Sequence, residues 1–137
     1  MILLPKDLID ADIINFVNDF VNLLAEEKYV EAFEVTYHDS KYKMSPELIK
    51  QLIERYGFID GVVNESFRVT SLDKMKGQSP RVDIIWYASL ENEKPREIGT
   101  IDYDLPINGE WSDLTAIFYI HELENGIALS IYDIHVL

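Results

Sequence analysis

Residues 97–137 read EIGTIDYDLPINGEWSDLTAIFYIHELENGIALSIYDIHVL, and this stretch decides the fold. Two turn signals, Asn108-Gly109 and Asn125-Gly126, divide it. Both central residues of a tight two-residue hairpin need positive φ, which Asn and Gly adopt most easily. Three strands are expected, Glu97–Ile107, Glu110–Glu124 and Ile127–Leu137, paired as an antiparallel meander. Two-residue turns would set Tyr103 opposite Leu114, Ile101 opposite Ala116, Ile120 opposite Ile131, Phe118 opposite Asp133 and Ala116 opposite His135. One face then carries Gly99, Ile101, Tyr103, Leu105, Leu114, Ala116, Phe118, Ile120, Leu129, Ile131 and Leu137, with Asp133 and His135 embedded in it. The other carries Ile98, Thr100, Asp102, Asp104, Asp113, Thr115, Ile117, Tyr119, His121, Ser130, Tyr132, Ile134 and Val136. The first suits a core. The second is less polar than a solvated sheet face normally is.

Upstream, the hydrophobic period changes. Ile9, Ile13, Phe16, Phe20 and Leu24 recur at steps of three and four, widened by Ile14, Val17, Val21 and Leu23, which predicts a helix over Asp10–Glu27. A shorter helix is expected over Tyr29–Tyr37, with Val30, Phe33 and Tyr37 on one face. Ser45 as N-cap, Pro46 at the first helical position and Gly57 as the stop frame a third, with Leu48, Leu52 and Ile53 inward. Val63–Leu72 and Arg81–Leu90 read as strands, separated by a loop at Asp73–Pro80. The fold class is therefore α+β: N-terminal helices packed on one face of a curved antiparallel sheet, as a single domain over residues 1–137.

Composition narrows the function classes. The 137 residues carry a net charge of −13 and no cysteine. Disulfides, thiolate metal sites and cysteine nucleophiles are excluded. The charge argues against nucleic acid and anionic membranes as partners and favours a basic one. Residues 97–137 contain eight acids and neither Lys nor Arg. The apolar opening Met1–Leu4 ends at Pro5-Lys6, short of a signal sequence or membrane span, so a cytoplasmic protein of bacterial style is expected. Phosphate-loop, dinucleotide and serine-hydrolase motifs do not occur. Asn64-Glu65-Ser66 matches a glycosylation sequon, which counts as chance without a secretory signal.

The strip Leu24-Ala25-Glu26-Glu27-Lys28-Tyr29-Val30-Glu31-Ala32-Phe33, the run Trp111-Ser112-Asp113-Leu114-Thr115 and the ending Asp133-Ile134-His135-Val136-Leu137 carry a resemblance. With the order of elements, they resemble the nuclear transport factor two-like (cystatin-like) superfamily. That resemblance covers most of the chain and implies two kinds of function. Some small bacterial members are immunity proteins that neutralise toxins; others are isomerases, dehydratases or carriers with a pocket between sheet and helices. No catalytic role transfers residue by residue, and fold alone does not choose.

The residues supply two candidate sites. Asp102, Asp104 and Asp113, with Trp111, Tyr119 and Tyr132, form an acidic and aromatic surface suited to a basic protein partner, for example a toxin of nuclease type. Asp104 and Asp113 are expected directly opposite each other, a costly pair of like charges. The chain's own N-terminal segment, a second copy in a homodimer, and a foreign protein compete for this face. The alternative is a pocket holding Tyr103, Phe118, Asp133 and His135, with general acid–base chemistry available to the last two. Only His38, His121 and His135 could offer imidazole to a metal. The last two are expected on opposite faces, no ligand spacing appears, and neither cofactor nor metal is expected.

Overall fold

The helices form where the apolar stripes predict them, the second stopping at Glu34 rather than at the expected Tyr37. In the computed structural model, which describes residues 1–56, 67–75 and 79–137, α1 spans Asp10–Ala25, α2 Tyr29–Glu34 and α3 Pro46–Glu54. The Asp12 carboxylate accepts from the Ile9 N–H at 2.9 Å, closing the first turn of α1. Glu27, at φ 58°, makes the sharp turn into α2. The Ser45 hydroxyl accepts from the Leu48 N–H at 3.1 Å and so caps α3. Two apolar positions differ from expectation. Ile9 and Val30 are exposed, and Ala32 and Ile49 are buried on their helices instead. Gly57, the sequon and the start of the strand expected at Val63–Leu72 lie outside the described residues. The described end of that strand makes an isolated antiparallel bridge, Val69 to Ile107, followed by a 3-10 turn at Leu72–Lys74.

Four strands follow: β1 Val82–Trp86, β2 Arg96–Ile107, β3 Glu110–Leu123 and β4 Gly126–Val136. They pair in chain order as one antiparallel sheet. The core lies between one sheet face and the helices. Phe20 of α1 meets Phe118 of β3 edge to face at 5.1 Å between centroids, and the Tyr103 hydroxyl donates to Asn18 Oδ1 at 2.9 Å. Ile101, Leu105, Leu114, Ala116, Ile120, Leu129 and Ile131 complete that face, all buried as expected.

The register departs from the one read off the turns, for three reasons. Asn108 and Gly109 do form the first turn, at φ 49° and 84°, with Ile107 opposite Glu110. Beyond Pro106 opposite Trp111, however, a bulge brings Asp104 opposite Thr115. The Ser112 hydroxyl donates to the Leu105 carbonyl at 2.7 Å there and holds the bulge. The second turn closes one residue early, with Leu123 opposite Gly126 and Glu124-Asn125 at its tip. Gly126, at φ 155°, is needed for a different reason: a Cβ there would lie 2.8 Å from the Leu4 carbonyl oxygen. Leu4 bridges Ile127 in both directions, so the N-terminal segment lines the β4 edge.

The third departure matters most for function. Phe118 pairs with Ile131, but Ile117 pairs with Asp133, leaving Tyr132 as an extra residue in β4. A one-residue bulge reverses the facing of everything beyond it. Ile134 turns into the core and is buried, while Asp133 and His135 turn to the face away from the helices. The expected embedding of Asp133 and His135 among core residues is thereby corrected. Leu137, expected in the core, is exposed.

Candidate functional site

On the sheet face away from the helices, the outer face, three cross-strand rows follow the row of Glu97, His121 and Ala128. Ile85, Thr100, Tyr119 and Ser130 form the first. Asp83, Asp102, Ile117 and Asp133 form the second. Asp104, Thr115 and His135 form the third. The two aspartates expected to oppose each other, Asp104 and Asp113, do not. Asp104 faces Thr115, whose hydroxyl donates to it at 2.7 Å, and Arg81 reaches it through two nitrogens at 3.1 and 3.2 Å. Asp113 sits at the bulge and accepts from the Tyr56 hydroxyl at 2.5 Å. The like-charge pair is Asp83 opposite Asp102.

Arg81 offsets part of that repulsion, contacting Asp83 at 2.6 Å as well as Asp104. The Asp102 carboxylate makes no hydrogen bond or salt bridge among the described residues. Its carboxyl is held above the usual carboxylate range, by burial first and by neighbouring Asp83 and Asp104, against the lowering pull of Arg81 and His135. Asp133 accepts from His135 Nδ1 at 2.6 Å and from the Ile134 N–H at 2.8 Å, which locks the bulge.

The first row is covered at one end. After α2 the chain crosses the β4 edge, where the Tyr37 N–H donates to the Leu129 carbonyl at 2.7 Å, and then lies over the outer face. Tyr42 stacks on Tyr119 at 5.3 Å with 9° between planes, and Tyr132 meets both rings edge-on. The Tyr42 hydroxyl donates to Glu97 at 2.6 Å, and the Tyr87 hydroxyl approaches the same carboxylate at 3.4 Å. The Tyr42 and Tyr87 hydroxyls are held protonated above their ordinary range. For Tyr87 burial, then the Glu97 charge, pushes the value up to about 12. Beneath the crossing segment, His121 is buried, 2.7 Å from Ser130 Oγ and 4.9 Å from the Tyr37 ring. His121 and His135 thus share the outer face, contrary to expectation; the bulge at Tyr132 again accounts for it.

The expected partner-binding residues therefore divide. Asp102, Asp104, Tyr119 and Tyr132 share the outer face. Trp111 and Asp113 lie at the far end of β3, where Trp111 lines a cleft of about 350 Å³ with Tyr56 and Phe67. The pocket set divides as well. Tyr103 and Phe118 are buried in the core, and Asp133 and His135 are half-buried on the opposite face. Sequence reasoning missed Arg81, Asp83, Tyr87, Glu97 and Tyr42 as members of this face. Asp83 was recoverable from its alternation with Val82 and Ile84, given a β1–β2 register; Tyr42, in a loop, carried no periodic signal.

Among the described residues, no group of three His, Cys, Asp or Glu is arranged to hold a metal ion, and no helix is long and apolar enough to cross a membrane. Comparison with protein-family models, curated proteins and solved structures finds no match to this chain.

Proposed function

We propose that this chain is a protein-binding module whose outer sheet face covers a basic protein, and that it serves as an immunity protein against a basic bacterial toxin. A nuclease fits that description, because an enzyme that attracts an anionic backbone carries the complementary charge. The reading rests on one observation: Asp83 and Asp102 stand directly opposite each other on a face that the helices leave uncovered. Opposed like charges destabilise a sheet. A cation brought by a partner would offset that cost and give the arrangement a use. Around the pair, exposed Ile85 and Tyr132 supply apolar contact area, and the −13 net charge speeds encounter with a basic surface.

No specific observation favours an enzyme or carrier. The space between sheet and helices where such a pocket would open is occupied by Phe20, Phe118 and Tyr103.

The test is neutralisation. The open reading frame next to the one encoding this chain is expressed alone in a sensitive host, then together with it. A lethal neighbour rescued by this chain, and rescued less by Asp102→Asn/Asp133→Asn, is the expected result. A lethal neighbour that binds the wild-type chain with no dependence on salt would remove the acidic face from the reading, and a harmless one would remove immunity.

A further inference from the structure

Resting on the protein-binding reading, we infer that the cleft between Tyr87, Tyr119 and Glu97 is a receptor for one arginine side chain of the partner. The cleft holds about 590 Å³ and is lined also by Thr100, Leu90 and Lys41. Its walls are aromatic: Tyr87 is exposed at the end of β1, and Tyr119 is braced from behind by the stacked Tyr42 ring. Its charged lining is Glu97, Glu91 and Lys41, and Glu97 is the carboxylate that two tyrosine hydroxyls orient, at 2.6 and 3.4 Å. A carboxylate oxygen that accepts one such bond retains capacity for another.

This combination selects a guanidinium. Its plane stacks on an aromatic face, its weak hydration lowers the cost of entering, and its paired N–H groups match a carboxylate. An ammonium would supply charge without the planar fit. An anionic group would meet Glu97 and Glu91. The chain's own cation at the cleft, Lys41, is drawn to Glu91 at 3.8 Å and stays largely exposed, so it borders the site rather than filling it. The acidic rows begin directly beside the cleft, since Thr100 and Tyr119 lie two residues from Asp102 and Ile117 on their strands. An arginine anchored here would place neighbouring cations of the partner over Asp83, Asp102 and Asp133.

The cleft is tested with N-acetyl-arginine-N-methylamide, and with the citrulline counterpart as its neutral isostere, titrated into the whole chain. Tyrosine ring resonances are followed by NMR. The arginine compound is expected to shift Tyr87 and Tyr119 saturably, and the citrulline compound to bind at least tenfold more weakly. Glu97→Gln is expected to lose the difference between the two. Tyr87→Leu, at an exposed position, is expected to weaken arginine binding several-fold with the fold intact by amide spectrum. Equal binding of the two compounds, or no saturable shift at these rings, would overturn the assignment. So would a basic partner that binds wild type, Glu97→Gln and Tyr87→Leu alike, an outcome that leaves the protein-binding reading standing. Saturable arginine binding by a chain that captures no basic protein would support the cleft and remove the reading on which its biological use rests.

Discussion

His135 lies directly opposite Thr115, on the sheet face away from the helices. It does so because Tyr132 is an unpaired extra residue in β4, and the strand beyond it is turned over. Deletion of Tyr132 restores strict alternation with Ile131 and Ile134 still facing the core and Asp133 and His135 still on the outer face. The deletion is therefore expected to keep the core intact and to cost chiefly the edge-on contacts of Tyr132 with Tyr42 and Tyr119, about 1–3 kcal/mol. Urea denaturation is expected to show that modest loss with cooperative unfolding retained. A chain that no longer unfolds cooperatively would show that the bulge itself, and not only the facing it sets, holds β4 in place.

The pH dependence of stability is expected to centre on His121. Burial holds its pKa below the ordinary value of 6.5, against the raising influence of Asp39 and Glu97. The unfolded chain thus binds a proton more readily than the folded one, and stability rises with pH through this window. The contribution is fully present above about pH 7 and is lost as pH falls from the ordinary histidine range through the lower folded value. His121→Gln keeps a hydrogen-bonding group near Ser130 and removes the titration. Urea midpoints from pH 7.5 to 5 are expected to fall for wild type and to flatten for the variant. Parallel slopes would show that the buried imidazole is not the titrating group.

Asp102 separates folding from binding. Its raised pKa means the folded state takes up a proton more readily than the unfolded one, so its ionisation opposes folding, and that opposition is relieved as pH falls below its folded pKa. Asp102→Asn is accordingly expected to raise the urea midpoint at pH 7 slightly. The same change, combined with Asp133→Asn, is expected to weaken association with a basic partner by about tenfold at low ionic strength and by less at high salt. A variant that loses stability and keeps affinity would make Asp102 a structural residue.

Gly99 keeps β1 and β2 in contact. A Cβ there would stand 2.7 Å from the Ile85 carbonyl oxygen and 3.1 Å from the Trp86 ring. Backbone has little room to yield, so Gly99→Ala is expected to cost about 1–3 kcal/mol. Amide exchange should rise first along Val82–Trp86. Unchanged protection there would show that the strand can move outward freely.

The element order, the capping of α3 and the core face from Ile101 to Ile131 were legible because each depends on residues near in sequence or on simple alternation. The outer face was not. Asn125-Gly126 looks like a turn centre, yet Gly126 serves the close approach of Leu4, a contact no local pattern announces. The bulge at Tyr132 leaves the apparent alternation of Leu129, Ile131, Asp133 and His135 intact in the sequence while breaking it in space. Ser112 likewise concealed a bulge that sends Asp113 to Tyr56 rather than to Asp104. The family resemblance rests on the same element order, and that order establishes helices against a four-stranded antiparallel sheet and nothing finer.

The β4 edge is closed along its first half by backbone bonds from Leu4 to Ile127 and from Tyr37 to Leu129, and is kinked along its second half at Tyr132. A foreign strand seeking to lengthen this sheet from that side meets occupied amides and then a broken repeat. Complexes formed on that side of the sheet would therefore be read through side chains and tolerate N-methylation of the partner's peptide groups, and concentrated solutions of this chain would resist ribbon-like self-association along β4.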